Sequence, residues 1–330
     1  MGGIATTGLT SLGGYSGNAP RNYILNIYQV YDDFTWERAS HSIKIGFADE
    51  HFVFNRKGVS RLGGAWTFGN INSFLTNGTP TRLRIMGPDE FTDAKGRTLR
   101  TDPYRTAIQN LVSAYFQDDW RLSPTLTLNL GVRWEITTVV TEKYGRLASL
   151  RTAADPFPTV GQALYSNPTL DNFMPRIGFA WDPTGKGKTS LRGGTGLFYE
   201  PLLARTYLNS IDRQPPFWTD VDVRTADIAR VNAFPNLTPV LSQLAQGPAA
   251  LHVTDYNLNS PYVFQWNLAV QHMLTPSSVV EIGYTGSRGN HLTSRQDLAV
   301  PVPVRQADGR LFFDPRRNTV NDLLNPNYSR

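Results

Sequence analysis

One long β-hairpin, formed by residues 113–136, constrains the fold of this chain more than any other stretch. Along its second arm, every second residue is apolar and the residues between are polar or glycine. The apolar series is Leu126, Leu128, Leu130, Val132, Trp134 and Ile136. Because successive side chains of a strand point to opposite faces, this arm has one apolar and one polar face. Both arms approach the ~9–11 residues that a strand needs to cross a bilayer, against ~5–6 in an average strand.

The hairpin fits two classes of protein: a large soluble β domain with one packed face, and the wall of a membrane barrel. Charged residues make up 18% of the chain and aromatic residues 12%, which suits strands that face lipid on one side and water on the other. No run approaches ~18 consecutive apolar residues, so the sequence excludes transmembrane helices. The net charge is +5, but Lys and Arg are scattered, which argues against a nucleic-acid partner.

The same alternation recurs along the chain and predicts about ten strands. The candidates besides the hairpin are 23–36, 41–54, 65–70, 81–86, 173–181, 189–199, 263–271 and 280–285. The predicted connections alternate between short ones (37–40, 122–125, 182–188 and 274–278) and long ones (88–103, 140–171, 200–261 and the residues after 287). Bacterial outer-membrane barrels alternate short periplasmic turns with long outer loops in this way. In a soluble β-sandwich, no structural constraint places all the long loops at one end.

The tryptophans support the same fold. Trp36, Trp120 and Trp181 fall just before short turns, whereas Trp134 and Trp266 fall towards the long loops. This distribution indicates the two aromatic girdles of a membrane barrel. We therefore predict an all-β, antiparallel up-and-down transmembrane β-barrel in the bacterial outer membrane. The partner of its apolar face is then outer-membrane lipid.

Several stretches together resemble a known family, the barrel domain of TonB-dependent outer-membrane receptors of the Oar-like branch. The resemblance is carried by residues 33–36 with 41–46, 115–121, 126–135, 175–183, 192–199, 265–268 and 283–289. It implies a signal peptide, a TonB box, a plug domain and about 22 strands, the size of barrels with a plugged lumen. About ten strands and no plug are present here, so the chain is expected to be a central slice of the barrel. Contact with a plug domain and the TonB system would then run through missing parts.

The resemblance predicts three segments. Residues 1–21 are a loop-like lead-in without the charged and apolar regions of a signal peptide. Residues 22–292 are a partial barrel of the receptor type, with a long outer loop at 201–261. This loop has no strand pattern but two candidate short helices, at 226–232 and 239–246. Residues 293–330 are a loop-like, truncated end.

No motif predicts catalysis, a metal site or a cofactor, and we expect the chain not to be an enzyme. The turn Asp182–Thr189 imitates a phosphate-binding loop, but it has Asp where the pattern needs Gly, and a strand follows where the pattern needs a helix. The five histidines lie far apart, without the spacing of metal ligands. Adjacent carboxylates such as Asp118 and Asp119 would point to opposite faces of a strand and cannot form a catalytic pair.

Two groups of residues are candidates for binding. The polar face of the strands would line the barrel lumen and meet the plug or solute; its members are Gln117, Asp119, Asn129, Arg133, Glu135, Arg176, Arg192, Gln265, Asn267 and Glu281. The alternative is that these side chains form a solvated surface that binds nothing specific. In the long loop, Arg213, Phe217 and Trp218 are candidate ligand contacts, because exposed aromatic side chains on loops often bind. The alternative there is a loop that packs on itself.

The predicted function is active uptake of a scarce, unknown solute across the outer membrane. A siderophore, cobalamin, an oligosaccharide and a peptide all remain open. The first alternative is an Oar-like surface protein for adhesion or envelope organisation, with the outer loops as its working surface. The second alternative is a soluble β-rich binding domain, which would fold without detergent.

Overall fold

The computed structural model describes residues 3–12, 22–57, 64–87, 90–92, 96, 98–167, 169–231, 234, 252–294, 301–314 and 325. Its strands are β1 Gly3–Thr6, β2 Asn22–Arg38, β3 His41–Lys57, β4 Ala65–Phe68, β5 Arg82–Met86, β6 Glu90–Thr92, β7 Thr98–Arg100, β8 Tyr104–Ser123, β9 Leu126–Thr137, β10 Thr141–Glu142, β11 Ala148–Ser149, β12 Thr159–Val160, β13 Phe173–Trp181, β14 Thr189–Tyr199, β15 Asp220–Arg224, β16 Tyr262–Thr275, β17 Ser278–Asn290, β18 Val304–Arg305 and β19 Leu311–Phe312. Its helices are α1 Ile71–Leu75, α2 Ala204–Asp212 and α3 Thr225–Val231.

Eight long strands form one antiparallel sheet in the order β17-β16-β14-β13-β9-β8-β3-β2, with the short β10 paired to β8. Except for the pairs β3–β8, β9–β13 and β14–β16, which are joined by long loops, neighbours in the sheet are also consecutive along the chain. This is the up-and-down topology that the sequence predicts. Within the described residues the sheet is open, with β2 and β17 at its edges, so it is a partial, unclosed barrel wall.

The register separates the residues into an apolar face and a polar face. On the apolar face, Trp134 lies opposite Phe173, and Leu128 lies between Trp120 and Phe179. Trp36, Trp181 and Trp266 share this face, as the alternation predicts. Trp36, Phe173 and Trp181 are exposed here, as are Phe34 and Ile282. A sheet face of exposed aromatic and aliphatic side chains is what lipid contact requires.

Asp118 and Asp119 confirm the predicted separation of neighbouring carboxylates. Asp119 lies on the polar face, where its Oδ1 accepts hydrogen bonds from Gln117 Nε2 (3.1 Å) and Asn129 Nδ2 (2.6 Å). Asp118 lies on the apolar face, where its Oδ2 is 2.7 Å from His41 Nδ1. The His41 ring in turn stacks on Trp120, with centroids 5.2 Å apart. The carboxylate of Asp118 is therefore stabilised on the apolar face by His41, which lies beside the short turn.

We expect the two aspartates to respond differently to leucine. Asp118→Leu should leave the unfolding temperature nearly unchanged, because its partner His41 is 38% exposed, so water can replace the lost hydrogen bond, and a leucine suits the apolar face. Asp119→Leu should lower it, because Gln117 and Asn129 each lose an acceptor. Thermal unfolding of both variants in detergent tests this. A larger loss for Asp118→Leu than for Asp119→Leu would contradict the assignment of faces.

A second, small sheet has the order β1-β4-β5-β15. Its core consists of buried side chains from β4, β5, β15 and α3: Trp66, Phe68, Leu83, Ile85, Val221, Val223 and Ile228. This sheet corrects the strand count. Eight of the ten predicted strands belong to the wall, and the other two, β4 and β5, pair with each other and with segments that the sequence did not mark as strands.

The long loops are more structured than expected. The lead-in 1–21 contains β1, the loop 201–261 contains α2, β15 and α3, and the end 293–330 contains the β18–β19 hairpin. The helix predicted at 226–232 corresponds to α3, and the one at 239–246 lies outside the described residues. The strand β15 was missed because its alternation spans only five residues, Asp220–Arg224. Such a short pattern gains meaning only from its pairing with β5.

The turn after β13 behaves as predicted. The Asp182 carboxylate accepts hydrogen bonds from the backbone N–H groups of Thr184, Gly185 and Gly187, at 3.1, 3.0 and 2.6 Å. These bonds hold the pKa of this carboxyl below its ordinary value, the one from Gly187 contributing most. The strand β14 follows at Thr189, so the segment is a solvated turn and lacks the helix of a phosphate-binding loop.

Candidate functional site

The polar face of the wall contains an open recess of ≈ 660 Å³. Glycines at positions 131, 178, 194 and 196 form its floor, so the backbone itself is accessible there. Six of the ten residues predicted for the lumen line it: Gln117, Asn129, Arg133, Arg176, Gln265 and Asn267. The recess therefore combines amide groups and guanidinium groups around a flat floor without side chains.

Two of the charged side chains that line the recess, Arg133 and Arg176, have partners. The Arg133 Nη2 atom donates to Ser113 Oγ (3.0 Å) and lies 2.6 Å from Glu135 Oε2. The Arg176 guanidinium lies 4.6 Å above the Phe198 ring, a cation–π arrangement. The register puts the remaining predicted residues, Asp119, Glu135, Arg192 and Glu281, on the same face. That this face lines a closed lumen stays a prediction.

Sequence reasoning missed one group on the polar face, Tyr115 with Asp33. The Tyr115 hydroxyl donates to Asp33 Oδ1 at 2.7 Å across the whole width of β3. The crossing is possible because the β3 residue between them is Gly46, where an added Cβ would lie only 2.2 Å from Tyr115 Cε1. Glycine opposite an aromatic residue in an alternating strand pair is the signal that could have found this contact.

The outer loops pack on the polar face at the end of the wall remote from the short turns. Buried side chains there join the wall residue Ala107 to the loops and α2; they are Val140, Leu147, Leu164, Tyr165, Leu202, Tyr207 and Ile211. Gln109 of β8 is the polar centre, since its Nε2 donates to Leu202 O (2.8 Å), Tyr165 Oη (3.0 Å) and Thr138 O (3.0 Å). Its Oε1 accepts from the Tyr207 hydroxyl. Burial raises the pKa of Tyr165 to about 12, so its hydroxyl stays neutral.

Two arginines of the wall hold the carboxyl end of α2. Arg56 of β3 donates from Nη1 to Leu208 O (3.2 Å) and pairs with Asp212, with 2.5 Å between Nη2 and Oδ2. Arg105 of β8 donates from Nε to Ile211 O at 3.1 Å. The last carbonyls of a helix have no partner within it, and cations stabilise that end. The loop helix is thus fixed to the wall.

The three loop candidates are placed differently. Trp218 is only 1% exposed, so the exposure on which its prediction rested is not observed; this tryptophan packs inside the loop. Phe217 is half-buried, with the Arg105 guanidinium 5.2 Å from its ring. Arg213, at the end of α2, has its Nη1 atom 3.2 Å from His252 Nε2. Ligand contact by Phe217 and Arg213 stays a prediction.

Glu142 organises the tight turn that follows β9. Its two carboxylate oxygens accept from the backbone N–H groups of Thr106 (2.9 Å), Tyr144 (2.9 Å) and Arg146 (2.8 Å). Burial alone would raise the pKa of this carboxyl, but these hydrogen bonds and one from the Arg146 guanidinium outweigh it and hold the pKa below its ordinary value.

We expect this turn to loosen only in acid. A carboxyl with a folded-state pKa below its unfolded value contributes stability above the unfolded pKa, about 4.3, and that contribution is lost as the pH falls through the depressed pKa. The protection factors of the Tyr144 and Arg146 amides, which compare each exchange rate with the intrinsic rate at the same pH, should therefore stay high at pH 5 to 7 and fall below about pH 4. Glu142→Gln should remove this pH dependence. Equal acid sensitivity in that variant would contradict the role of Glu142.

Among the described residues there is no group of three or more His, Asp or Glu side chains placed to hold a metal ion. Within the same residues no helix is both long and apolar enough to cross a membrane.

The whole chain, residues 1–330, matches the family described as outer membrane beta barrel domain. The chain belongs to this family. As an outer-membrane barrel domain it lies in the bacterial outer membrane, which removes the soluble alternative. No curated protein matches the chain significantly.

Solved structures with a similar chain course are outer-membrane transporters and receptors. The outer-membrane transporter YddB from Escherichia coli aligns at 11% identity and a TM-score of 0.43, covering 86% of this chain and 28% of YddB. The ferripyoverdine receptor of Pseudomonas aeruginosa aligns at 13% identity and a TM-score of 0.32, covering 88% of this chain and 34% of the receptor. FauA, the alcaligin receptor of Bordetella pertussis, aligns at 12% identity and a TM-score of 0.25, covering 83% and 48%. The chain thus spans less than half the length of each of these proteins.

Proposed function

We propose that this domain forms part of the wall and outer mouth of a transporter that takes up a scarce solute across the outer membrane. The observation that carries the proposal is the recess on the polar face, with structured loops packed on the same face at its outer end. A solute that passes through the mouth would meet amides, guanidinium groups and bare backbone in succession. Coupling to TonB, through a plug domain outside the described residues, would supply the energy.

The floor of the recess offers a way to test uptake. An added Cβ at Gly178 would meet nothing closer than Asn129 Cβ at 3.6 Å, so a side chain can be placed there without disturbing the strand. Gly178→Trp is expected to fill the recess and obstruct a solute. Gly283 also lies on the polar face, opposite Ala269 of β16, and is not among the residues that line the recess. Its added Cβ would likewise meet nothing closer than 3.6 Å. Gly283→Trp is therefore a matched control.

The experiment compares cells that carry the native gene, no gene, or either variant. We expect uptake of at least one labelled solute, from a panel of metal chelates, cobalamin, oligosaccharides and peptides, to need the gene and to stop with a protonophore. Gly178→Trp should reduce this uptake about tenfold or more, a barrier of about 1.4 kcal/mol, and Gly283→Trp should not. Unchanged uptake of every solute in the deletion strain would overturn the proposal.

The small sheet β1-β4-β5-β15 favours a second candidate, an Oar-like surface protein. It has its own apolar core and gives the outer loops a folded surface beyond the wall. Adhesion or envelope organisation needs such a surface and no passage for a solute. Loss of surface attachment in the deletion strain, with all uptake rates unchanged, would select this second function.

A further inference from the structure

A second cleft, of ≈ 550 Å³, lies among the outer loops. Its walls are residues 100–104, Arg146 and Phe217. It is separate from the recess on the wall, with which it shares no lining residue. We propose that this cleft binds a small organic anion with a planar aromatic ring, such as an aryl carboxylate.

The walls of the cleft are held in place by one buried side chain, Arg105. Its Nη1 donates to Asp102 O and Tyr104 O, both at 2.7 Å, and its Nη2 to Phe217 O at 3.5 Å. The Asp102 N–H also donates to Phe217 O at 2.8 Å. One guanidinium therefore joins the two sides of the cleft. A site whose contact residues are fixed by supporting hydrogen bonds loses little entropy when a ligand binds.

The charge of the cleft favours an anion. Arg100 and Arg146 line it, Lys57 lies beside its lining residue Tyr104, and Lys143 lies beside the neighbouring Tyr144. The opposing carboxylates are Asp102, which pairs with Arg146 at 2.5 Å; Glu142, which is fully engaged in the turn; and Glu90, which lies across from Arg100. The Arg146 Nε–H is buried and has no hydrogen-bond partner among the described residues. Cations thus outnumber carboxylates, and the exposed Arg100 offers a planar set of donors that matches a carboxylate.

The aromatic side chains give the second part of the specificity. Tyr104 and Tyr144 remain 51% and 63% exposed, although each has a cation beside its ring. The Lys57 Nζ lies 5.2 Å from the Tyr104 ring, and the Arg146 guanidinium lies 4.7 Å from the Tyr144 ring. Phe217 forms part of the floor. Exposed rings that flank a basic cleft are suited to stack on a flat ring while the cations bind its charge.

The test measures binding of benzoate to the purified full-length protein in detergent by calorimetry. Three comparison ligands separate the contributions: cyclohexanecarboxylate has the charge without the ring, benzyl alcohol has the ring without the charge, and glucuronate is an acidic sugar. We expect benzoate to bind most tightly. Arg100→Gln and Tyr104→Leu should each raise its Kd about tenfold. Lys186→Gln, in the solvated turn after β13, is the control and should leave the Kd unchanged.

The cleft would be the first place where a solute contacts the domain. Binding in the cleft does not depend on the proposed function, and only the later uptake of the bound ligand rests on it. Binding without uptake would retain the cleft and reject transport. Absence of benzoate binding at millimolar concentration would overturn the proposal, as would equal affinity for cyclohexanecarboxylate or glucuronate. Unchanged affinity in both variants would also overturn it, provided that hydrogen exchange of the 142–146 turn matches the native protein.

Discussion

Arg56→Met is expected to release α2 from the wall, with a loss of about 3–5 kcal/mol in the local stability of the helix. Arg56 and Asp212 are 5% and 1% exposed, so the substitution removes the ion-pair partner of a buried carboxylate, on which Arg105 also exerts an attraction. It also removes the hydrogen bond to Leu208 O at the end of the helix. Hydrogen exchange of residues 204–212 should accelerate at least about 100-fold, because each 1.4 kcal/mol corresponds to a factor of ten. Amides of β9 should keep their protection.

A matched control for this change is Arg310→Met. Arg310 also pairs with an aspartate, Asp308, at 2.6 Å, but its side chain is 81% exposed. An exposed pair contributes little, because water solvates both charges when they separate. If Arg310→Met and Arg56→Met had similar effects on exchange, or if α2 kept its protection without Arg56, the wall arginines would not be the anchors of the helix.

Gly46→Ala is expected to have the second large effect, a loss of about 1–3 kcal/mol from the wall. The new methyl group would lie 2.2 Å from Tyr115 Cε1 and 2.3 Å from Asp33 Oδ1. The Tyr115 ring must therefore leave its place across β3, and the hydroxyl loses its acceptor on β2. The unfolding temperature in detergent should fall, and Tyr115→Phe should show only the part of the loss that belongs to the hydrogen bond.

The control for Gly46 is Gly178→Ala on the same face. At Gly178 the added methyl group finds ordinary contact distances of 3.6 Å, so overpacking is absent. Alanine also has a higher strand propensity than glycine. We therefore expect Gly178→Ala to raise the unfolding temperature slightly. Equal unfolding temperatures for the two alanine variants would show that the ring over Gly46 moves at no cost.

The membrane-facing half of the wall could be predicted from the sequence because each strand there has two different environments. In β9 and β13 the alternation correctly predicts which side chains lie on the apolar face and which on the polar face, and so which of them can line the recess. The same reasoning stopped too early in β8, where only residues 113–122 alternate although the strand begins at Tyr104. Between Tyr104 and Ser113 the loops cover the polar face of β8, and Ala107 and Gln109 are buried there. This face is therefore no longer exposed, and the sequence loses the alternation of polar and apolar residues.

The loop sites could not be predicted because their partners are distant along the chain. Arg56 meets Asp212 and Arg105 meets Phe217 only after the loops have folded onto the wall. Sequence reasoning chose Arg213, Phe217 and Trp218 together, but only Phe217 lines the cleft, whereas Trp218 is buried inside the loop. Adjacent residues in an irregular loop have no fixed period, so composition marks the right segment without telling which side chain points inward.

The length of β8 has a mechanical consequence. The strand runs for 20 residues from Ser123 beside a short turn to Tyr104 at the loop cleft, while its neighbour β9 has only 12. The extra residues carry Arg105 and Gln109, which hold the loops, on the same unbroken backbone that carries Tyr115 and Gln117 of the recess region. The residues that hold the outer loops and those that line the recess therefore share one uninterrupted strand, so a displacement of the loops at Gln109 would act on the same backbone that positions Gln117.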